Sequence, residues 1–486
     1  MSTIARRIAL IVAGLIALCG CVAVVVLLRR YAVEPSMTED ATPIEEPAAA
    51  KEEPEEEVTS QQEETEPAPA EDAFYNPGSD YQLEQVVVLS RHNIRSPLSA
   101  AGSTLDLATT HVWFDWTSDP SELSLRGGAL ETMMGQYFRE WLESEGLIEQ
   151  NWQPSSGEVR FYANSKQRTI ATAQYFSSGM LPVGNVHIET HEDYDTMDAV
   201  FTPQFTYVSD AYEKAALDQI AEKFGEGDMG KVAAGLKDSY QLISEVVDLE
   251  GSKGYQSGEI GKLDTTDTGV VIEEFEEPAM AGSLKLACQL SDALVLQYYE
   301  QPDDKAAAFG RTLTTEQWQQ ISQAKDTYNQ VLFTAPLVAT NVAHPLLAEI
   351  GSELDDRRRV FTFLCGHDSN LASVAAALEA EDYVLPQSVE QSVPIGAKLV
   401  FERWSDKAGE CYARVRLVYQ NTDQLRGLTL LTPENPPMSF DLTLHGLKKN
   451  ADGLYAYDDV RARIQEATDA YDQLEQDYPQ ELADAA

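Results

Sequence analysis

Positive charge is scarce in this chain: 35 lysines and arginines stand against 80 aspartates and glutamates, a formal net charge of -45. That balance argues against a nucleic-acid partner and against docking on anionic lipid. Any site for an anion must then be a local basic island. Cysteine is scarcer still. Cys19 and Cys21 fall in an N-terminal apolar run, which leaves Cys288, Cys365 and Cys411 for the rest of the chain. So odd and sparse a set in an exported protein allows at most one disulfide. No Cys or His cluster has zinc-ligand spacing, so no structural metal is expected. No internal repeat is present.

Residues 1–30 read as a signal anchor. A short basic start leads into residues 8–28, an uncharged stretch long enough to cross a bilayer as a helix, closed by Arg29 and Arg30. A lipoprotein signal competes with this reading, because Leu18 and Gly20 stand at suitable places before Cys21. Arginines flank both ends, so the positive-inside count does not decide orientation. Residues 31–72 are rich in Glu, Pro, Ala, Thr and Gln and almost free of large apolar side chains. Such a segment cannot bury enough surface to offset its conformational entropy, and its like charges repel. It is expected to be an extended acidic stalk.

The remaining stretch is about 410 residues, suited to two lobes. Its first half opens on residues 86–97, where Val86, Val87, Val88 and Leu89 read as a buried strand and the polar run behind them as the loop at its carboxyl end. That loop carries Arg91, His92 and Arg95, two guanidiniums bracketing an imidazole where an open α/β sheet places its ligands. Residues 121–145 follow with helical spacing. Residues 158–163 alternate as a strand and run into a helix that Asn164 or Ser165 can cap. Arg168 then lies in that helix's first turn, aimed with backbone N–H groups at an anion. Taken alone, such an arginine is usually just solvated. His187 and His191 fit surface positions on a short strand better than ligand positions.

Between residues 195 and 349 the pattern turns helical, with expected helices at 211–224, 229–248, 283–300 and 315–331 and a loop at 251–278. A helical block between two α/β halves, 73–194 and 350–486, reads as an inserted cap walling a pocket. Trp318, Tyr298 and Tyr299 are expected to pack rather than bind. Residues 359–370 repeat the first design: a buried strand, then Gly366-His367-Asp368 in a polar turn, with a helix from Leu371. By itself that turn is an ordinary helix cap. If the two strands are parallel neighbours, their ends meet, and His367 and Asp368 face Arg91, His92, Arg95 and Arg168. Residues 398–404 and 412–419 read as antiparallel strands and 457–478 as a closing helix.

Arg91-His92-Asn93-Ile94-Arg95-Ser96-Pro97 resembles the R-H-x-x-R-x-P signature of the histidine acid phosphatases, and His367-Asp368 resembles their downstream H-D pair. The likeness runs over about residues 81–466 and is nearest to the bacterial glucose-1-phosphatases, since Asn93 stands where related phytases usually carry Gly. Residues 162–174 and 394–404 point the same way. The resemblance implies an α/β fold with a central mixed sheet flanked by helices, phosphoglycerate mutase-like, with an inserted α-helical cap. It implies phosphomonoester hydrolysis in two steps, with no cofactor and no metal. His92 would be the nucleophile and Asp368 the proton donor, with Arg91, Arg95, Arg168 and His367 on the phosphoryl oxygens. Glu277 would be the cap-edge gate, with Glu273, Glu274 and Glu276 as alternatives in the same stretch. Sugar phosphates such as glucose 1-phosphate are the expected substrates, at an extracytoplasmic, membrane-anchored site. A phytase is the nearest alternative; a surface binding protein without turnover is a more distant one, and a cytosolic mutase is disfavoured by the anchor and the H-D pair. Relatives are usually stapled by several disulfides, which three cysteines cannot reproduce, so packing must supply the stability.

Overall fold

The computed structural model describes residues 77–98 and 103–480; the expected anchor and stalk lie outside them. In chain order the strands are β1 (Tyr81–Arg91), β2 (Val159–Ala163), β3 (Ile188–Glu189), β4 (Gly269–Val271), β5 (Ala279–Ala281), β6 (Phe361–Gly366), β7 (Lys398–Asp406), β8 (Cys411–Tyr419), β9 (Met438–Asp441) and β10 (Tyr455–Ala456). Eight of them form one mixed sheet in the order β10-β8-β7-β1-β6-β2-β3, with β9 on β8, while β4 and β5 make a separate hairpin. β1 runs parallel to β6 and antiparallel to β7. The register sets Arg91 beside Gly366, so both motif-bearing strands end at the same edge.

Residues 86–89 of β1 are apolar in succession because both faces of the strand are covered there. Val86 and Val88 join Phe361, Phe363 and Val400 under α1 (Leu125–Ser144) and α2 (Gln167–Met180), against Phe138, Trp141 and Phe176. Val87 and Leu89 face the larger core on the other side. Helices α1 and α2 touch through glycine: a Cβ on Gly135 would meet the Phe176 carbonyl oxygen at 2.1 Å, and one on Gly179 the Thr132 carbonyl oxygen at 2.1 Å. No side chain fits at either position.

The segment after β3 supplies α3 (Asp210–Gly225), α4 (Lys237–Val247), α5 (Ser283–Glu300), α6 (Thr315–Phe333) and α7 (Pro336–Asp355). Trp318, Tyr298 and Tyr299 are buried in its core. Several details differ from the sequence reading, among them the helix expected at 229–248, which is α-helical only over Lys237–Val247. The loop expected at 251–278 holds a short helix (Lys253–Ser257) and β4. Helix α7 runs unbroken across residues 349 and 350, where the sequence pattern placed a domain boundary. Its buried Leu346, Leu347 and Ile350 belong to the larger core. Then come α8 (Asp368–Ala377) and α9 (Tyr457–Asp472). Helix α8 begins at Asp368, three residues earlier than expected, because its first turn is polar and carries no apolar periodicity.

Beneath β1 lies a fully buried ion pair. The Lys398 ammonium donates to both Glu131 carboxylate oxygens at 2.9 and 3.0 Å and to the Gly396 carbonyl at 2.8 Å. Asn93 donates to the same carboxylate at 2.8 Å. Burial pushes the Glu131 pKa up, against the pull of Lys398 and Asn93. Lys398→Met leaves that carboxylate without its counter-ion, and we expect a loss of about 3–5 kcal/mol at neutral pH in urea unfolding. The raised folded-state pKa fixes the sign of the pH dependence. The folded variant takes up a proton more readily than the unfolded chain, so the deficit is largest above the raised folded-state pKa and shrinks as pH falls from there to the ordinary carboxylate value.

Candidate active site

The ends of β1 and β6 and the start of α2 converge on a cavity of about 350 Å³ lined by His92, Arg95, Arg168, His367, Asp368 and Glu277, with Asp292, Lys325 and Cys288 on the helical side. Each motif residue is placed by a chain feature that sequence alone suggests. Arg91 ends β1 and pairs in register with Gly366; His92 follows, its N–H donating to the Gly366 carbonyl at 3.1 Å. The His92 and His367 rings meet edge to face with centroids 5.5 Å apart.

The His92 Nδ1 lies 2.9 Å from the Asn93 carbonyl oxygen. A carbonyl only accepts, so Nδ1 carries the proton and Nε2 is left with its lone pair. Burial, then the charges of Arg168 and Arg95, hold the His92 pKa well below the usual histidine value. The ring is therefore neutral at mildly acidic pH, as a nucleophile requires.

Arg95 and Arg168 line the cavity, while Arg91 sits back from it. Arg91 donates to Glu390 at 2.8 Å and to the Val393 carbonyl, and its Nη2 lies 3.4 Å from Asp368 Oδ2. Arg95 donates to Asp292 at 3.0 Å. Even so, the Nε atoms of Arg91, Arg95 and Arg168 are all buried with no hydrogen-bond partner. Unpartnered cationic donors on Arg95 and Arg168, which line the cavity, are costly unless an anion joins them.

Burial opposes ionisation of Asp368, but Arg91 and Lys325 outweigh it and hold its pKa far below the usual carboxylate range. His367 is kept neutral, mainly by burial and then by Arg168. Among Glu273, Glu274, Glu276 and Glu277, Glu277 is the one that lines the cavity. It stands at the rim on the β4–β5 loop, which is pinned by the Phe205 N–H on the Glu276 carbonyl at 3.0 Å. Desolvation by the cavity wall raises its pKa.

Sequence reading missed Lys325, Asp292 and Glu390. The Lys325 ammonium, on α6, lies 3.7 Å from Asp368 and 3.8 Å from Asp292, and donates to Glu390. Its pKa is raised although burial and Arg91 oppose it, because Glu390, Asp368 and Asp292 together outweigh them. The expected cap of α2 was also misplaced: Lys166 holds the N-cap position, with no side-chain bond. Asn164 and Ser165 are engaged elsewhere, Asn164 with His367 and Asp198, and Ser165 as acceptor for the Glu192 N–H. His187 and His191 are exposed, as their strand pattern suggests. Cys288, Cys365 and Cys411 are free thiols, and burial raises the pKa of Cys288 in the cavity wall. Among the described residues no group of His, Cys, Asp or Glu is arranged to hold a metal ion.

A paired-histidine pocket with arginines at the carboxyl edge of a mixed α/β sheet defines a phosphate-handling enzyme. The chain belongs to the histidine phosphatase superfamily (branch 2), whose family model matches residues 82–420. It is 37% identical over 389 residues to a glucose-1-phosphatase of Providencia rettgeri, covering 79% of this chain and 91% of that one. It is 38% identical over 383 residues to a glucose-1-phosphatase of Salmonella typhimurium, covering 78% and 91%. Its fold matches the apo phytase of Hafnia alvei with a TM-score of 0.73 at 25% identity, over 81% of this chain and 98% of that one. The chain is a phosphomonoester hydrolase with the α/β architecture that its motifs imply.

Proposed function

We propose that this chain hydrolyses sugar phosphates such as glucose 1-phosphate through a phosphohistidine on His92. The observation that carries this is the cavity in which Arg95 and Arg168 stand with a neutral His92 imidazole, His367 and Asp368. Phosphoryl transfer asks mainly for positioning and for charge on the equatorial oxygens, which cationic side chains supply. In the first step His92 Nε2 bonds to phosphorus, the ester P–O bond breaks, and Asp368 gives its proton to the leaving oxygen. In the second, water attacks the phosphohistidine, its proton passes to the Asp368 carboxylate, and the N–P bond breaks to release phosphate and neutral His92. Arg95, Arg168 and His367 hold the phosphoryl oxygens from the cavity wall, and Arg91 adds its charge from behind them and keeps Asp368 in place.

The helical segment acts in this reading as the cap that selects the alcohol. Its carboxylates matter: Asp292 already pairs with Arg95, and Glu277 stands at the rim. A single phosphate dianion fits that charge balance, whereas a polyphosphorylated inositol would bring further anions against Glu277 and Asp292. Phytase activity is the second reading, favoured by the structural likeness to the Hafnia alvei enzyme. Initial rates on glucose 1-phosphate, other sugar phosphates, phytate and an aryl phosphate separate the two. We expect kcat/KM on glucose 1-phosphate to exceed that on phytate by about tenfold or more; the opposite order would establish the phytase. The N-terminal apolar run would tether the enzyme at the outer face of a membrane, with the acidic stretch as spacer. Loss of membrane association on deleting residues 1–30 tests that placement.

A further inference from the structure

His367 lies between two groups that both offer protons, and its hydrogen-bond partners settle where its own proton sits. The Asp198 main-chain N–H lies 2.9 Å from Asn164 Oδ1. A main-chain N–H only donates, so the Asn164 amide is oriented with its oxygen there and its NH₂ group elsewhere. That NH₂ group faces the His367 Nε2 at 2.7 Å and the Met197 Sδ at 3.2 Å. Asn164 is fully buried and all of its polar atoms are engaged. Asp198 is itself held, accepting from the Tyr162 hydroxyl at 2.6 Å and from the Val200 N–H at 2.9 Å.

A ring nitrogen that receives a donor at 2.7 Å carries no hydrogen of its own. Arg168 Nη2 also turns an N–H toward Nδ1, but at 3.5 Å, so the closer Asn164 donor takes the bare nitrogen and in a neutral ring the proton is on Nδ1. Two donors cannot satisfy each other, so Nδ1–H and Arg168 both require an acceptor between them. A phosphoryl oxygen is such an acceptor. We infer that Asn164 is a positioning residue that fixes His367 as a neutral Nδ1–H donor to the transferring phosphoryl group. The inference rests on the function proposed above. Charged groups around the ring act in the same direction: Arg168, Arg95 and Arg91 disfavour a second proton, and Asp368 alone favours it.

The closing experiment reads the tautomer directly and not through turnover. In the full-length chain with ring-¹⁵N-labelled histidine, long-range ¹H–¹⁵N correlations assign His367 by its loss in His367→Gln. We expect a neutral ring protonated at Nδ1 from pH 5 to 8. Asn164→Asp replaces the donor with an acceptor of the same shape, so Nε2 should gain a proton and the ring should take its second proton at a higher pH than in the parent chain. Asn164→Leu removes the partner, giving mixed tautomers and a kcat/KM lowered about tenfold. A wild-type ring protonated at Nε2, or Asn164→Asp spectra identical to wild type, overturns the inference. If the enzyme turned over sugar phosphates with the other tautomer, the function would stand and this role of Asn164 would fall. The expected tautomer in a protein without phosphatase activity would do the reverse.

Discussion

Replacing His92 with alanine is expected to lower turnover of every phosphomonoester by at least about 10⁴-fold, because the variant has no nitrogen to receive the phosphoryl group. Removing a general electrostatic contributor would cost far less. The arginines and His367 remain and still bind phosphate, so the KM or the inhibition constant for inorganic phosphate should move only a few-fold. Folding should survive. His92 gives up one hydrogen bond, to the Asn93 carbonyl, worth about 1 kcal/mol. The ring is also neutral in the folded state, so no buried ion pair is broken. Rapid quenching into alkali during turnover should trap a phosphoryl-enzyme in the parent chain and none in the variant. Unchanged hydrolysis by a folded His92→Ala chain would rule out the covalent route altogether.

Asp368→Asn is expected to separate substrates by leaving group. An alkoxide from a sugar phosphate leaves only with a proton, and loss of the general acid should cost about 10²–10⁴-fold. A nitrophenolate leaves unaided, so an aryl phosphate should lose about tenfold or less. The pH dependence follows from the direction of the Asp368 pKa. Arg91 and Lys325 hold it far below the ordinary value, so the protonated acid is a minority species that falls tenfold with each pH unit gained. The opposing acid limb belongs to His92, whose pKa is also depressed, so the nucleophile stays competent at low pH. Alkyl phosphates should therefore be cleaved best in acid, with the alkaline fall lost in Asp368→Asn. A parent profile that peaks above neutrality would remove Asp368 from the role of acid.

Both site strands were legible in the sequence because each packs its chemistry into a few adjacent residues. Four apolar residues name a strand with two covered faces, and the polar residues behind it name its edge. The parallel pairing of β1 and β6 then brings the two clusters together. Lys325, Asp292 and Glu390 carry no such local mark. Each stands alone on its own helix or loop, and only tertiary contact makes them a group. The cap of α2 failed for a related reason: Asn164 and Ser165 have suitable side chains, but those side chains serve the site and a neighbouring turn instead. The cysteine count limited the chain to at most one disulfide without deciding whether one forms, and the free Cys288, Cys365 and Cys411 leave stability to the two cores and to buried polar pairs such as Glu131 with Lys398.

The unbroken α7 has a mechanical consequence. Its first turn is tied to α3, the Leu337 carbonyl accepting from the Tyr212 hydroxyl at 2.8 Å, and its last turns reach β1, where the Glu353 carbonyl accepts from the Gln85 side chain at 2.8 Å. Pro345, near the middle of this helix, removes one ladder hydrogen bond, so a bend within it is favoured there. A fragment cut between residues 349 and 350 would sever the strut that braces the strand carrying Arg91.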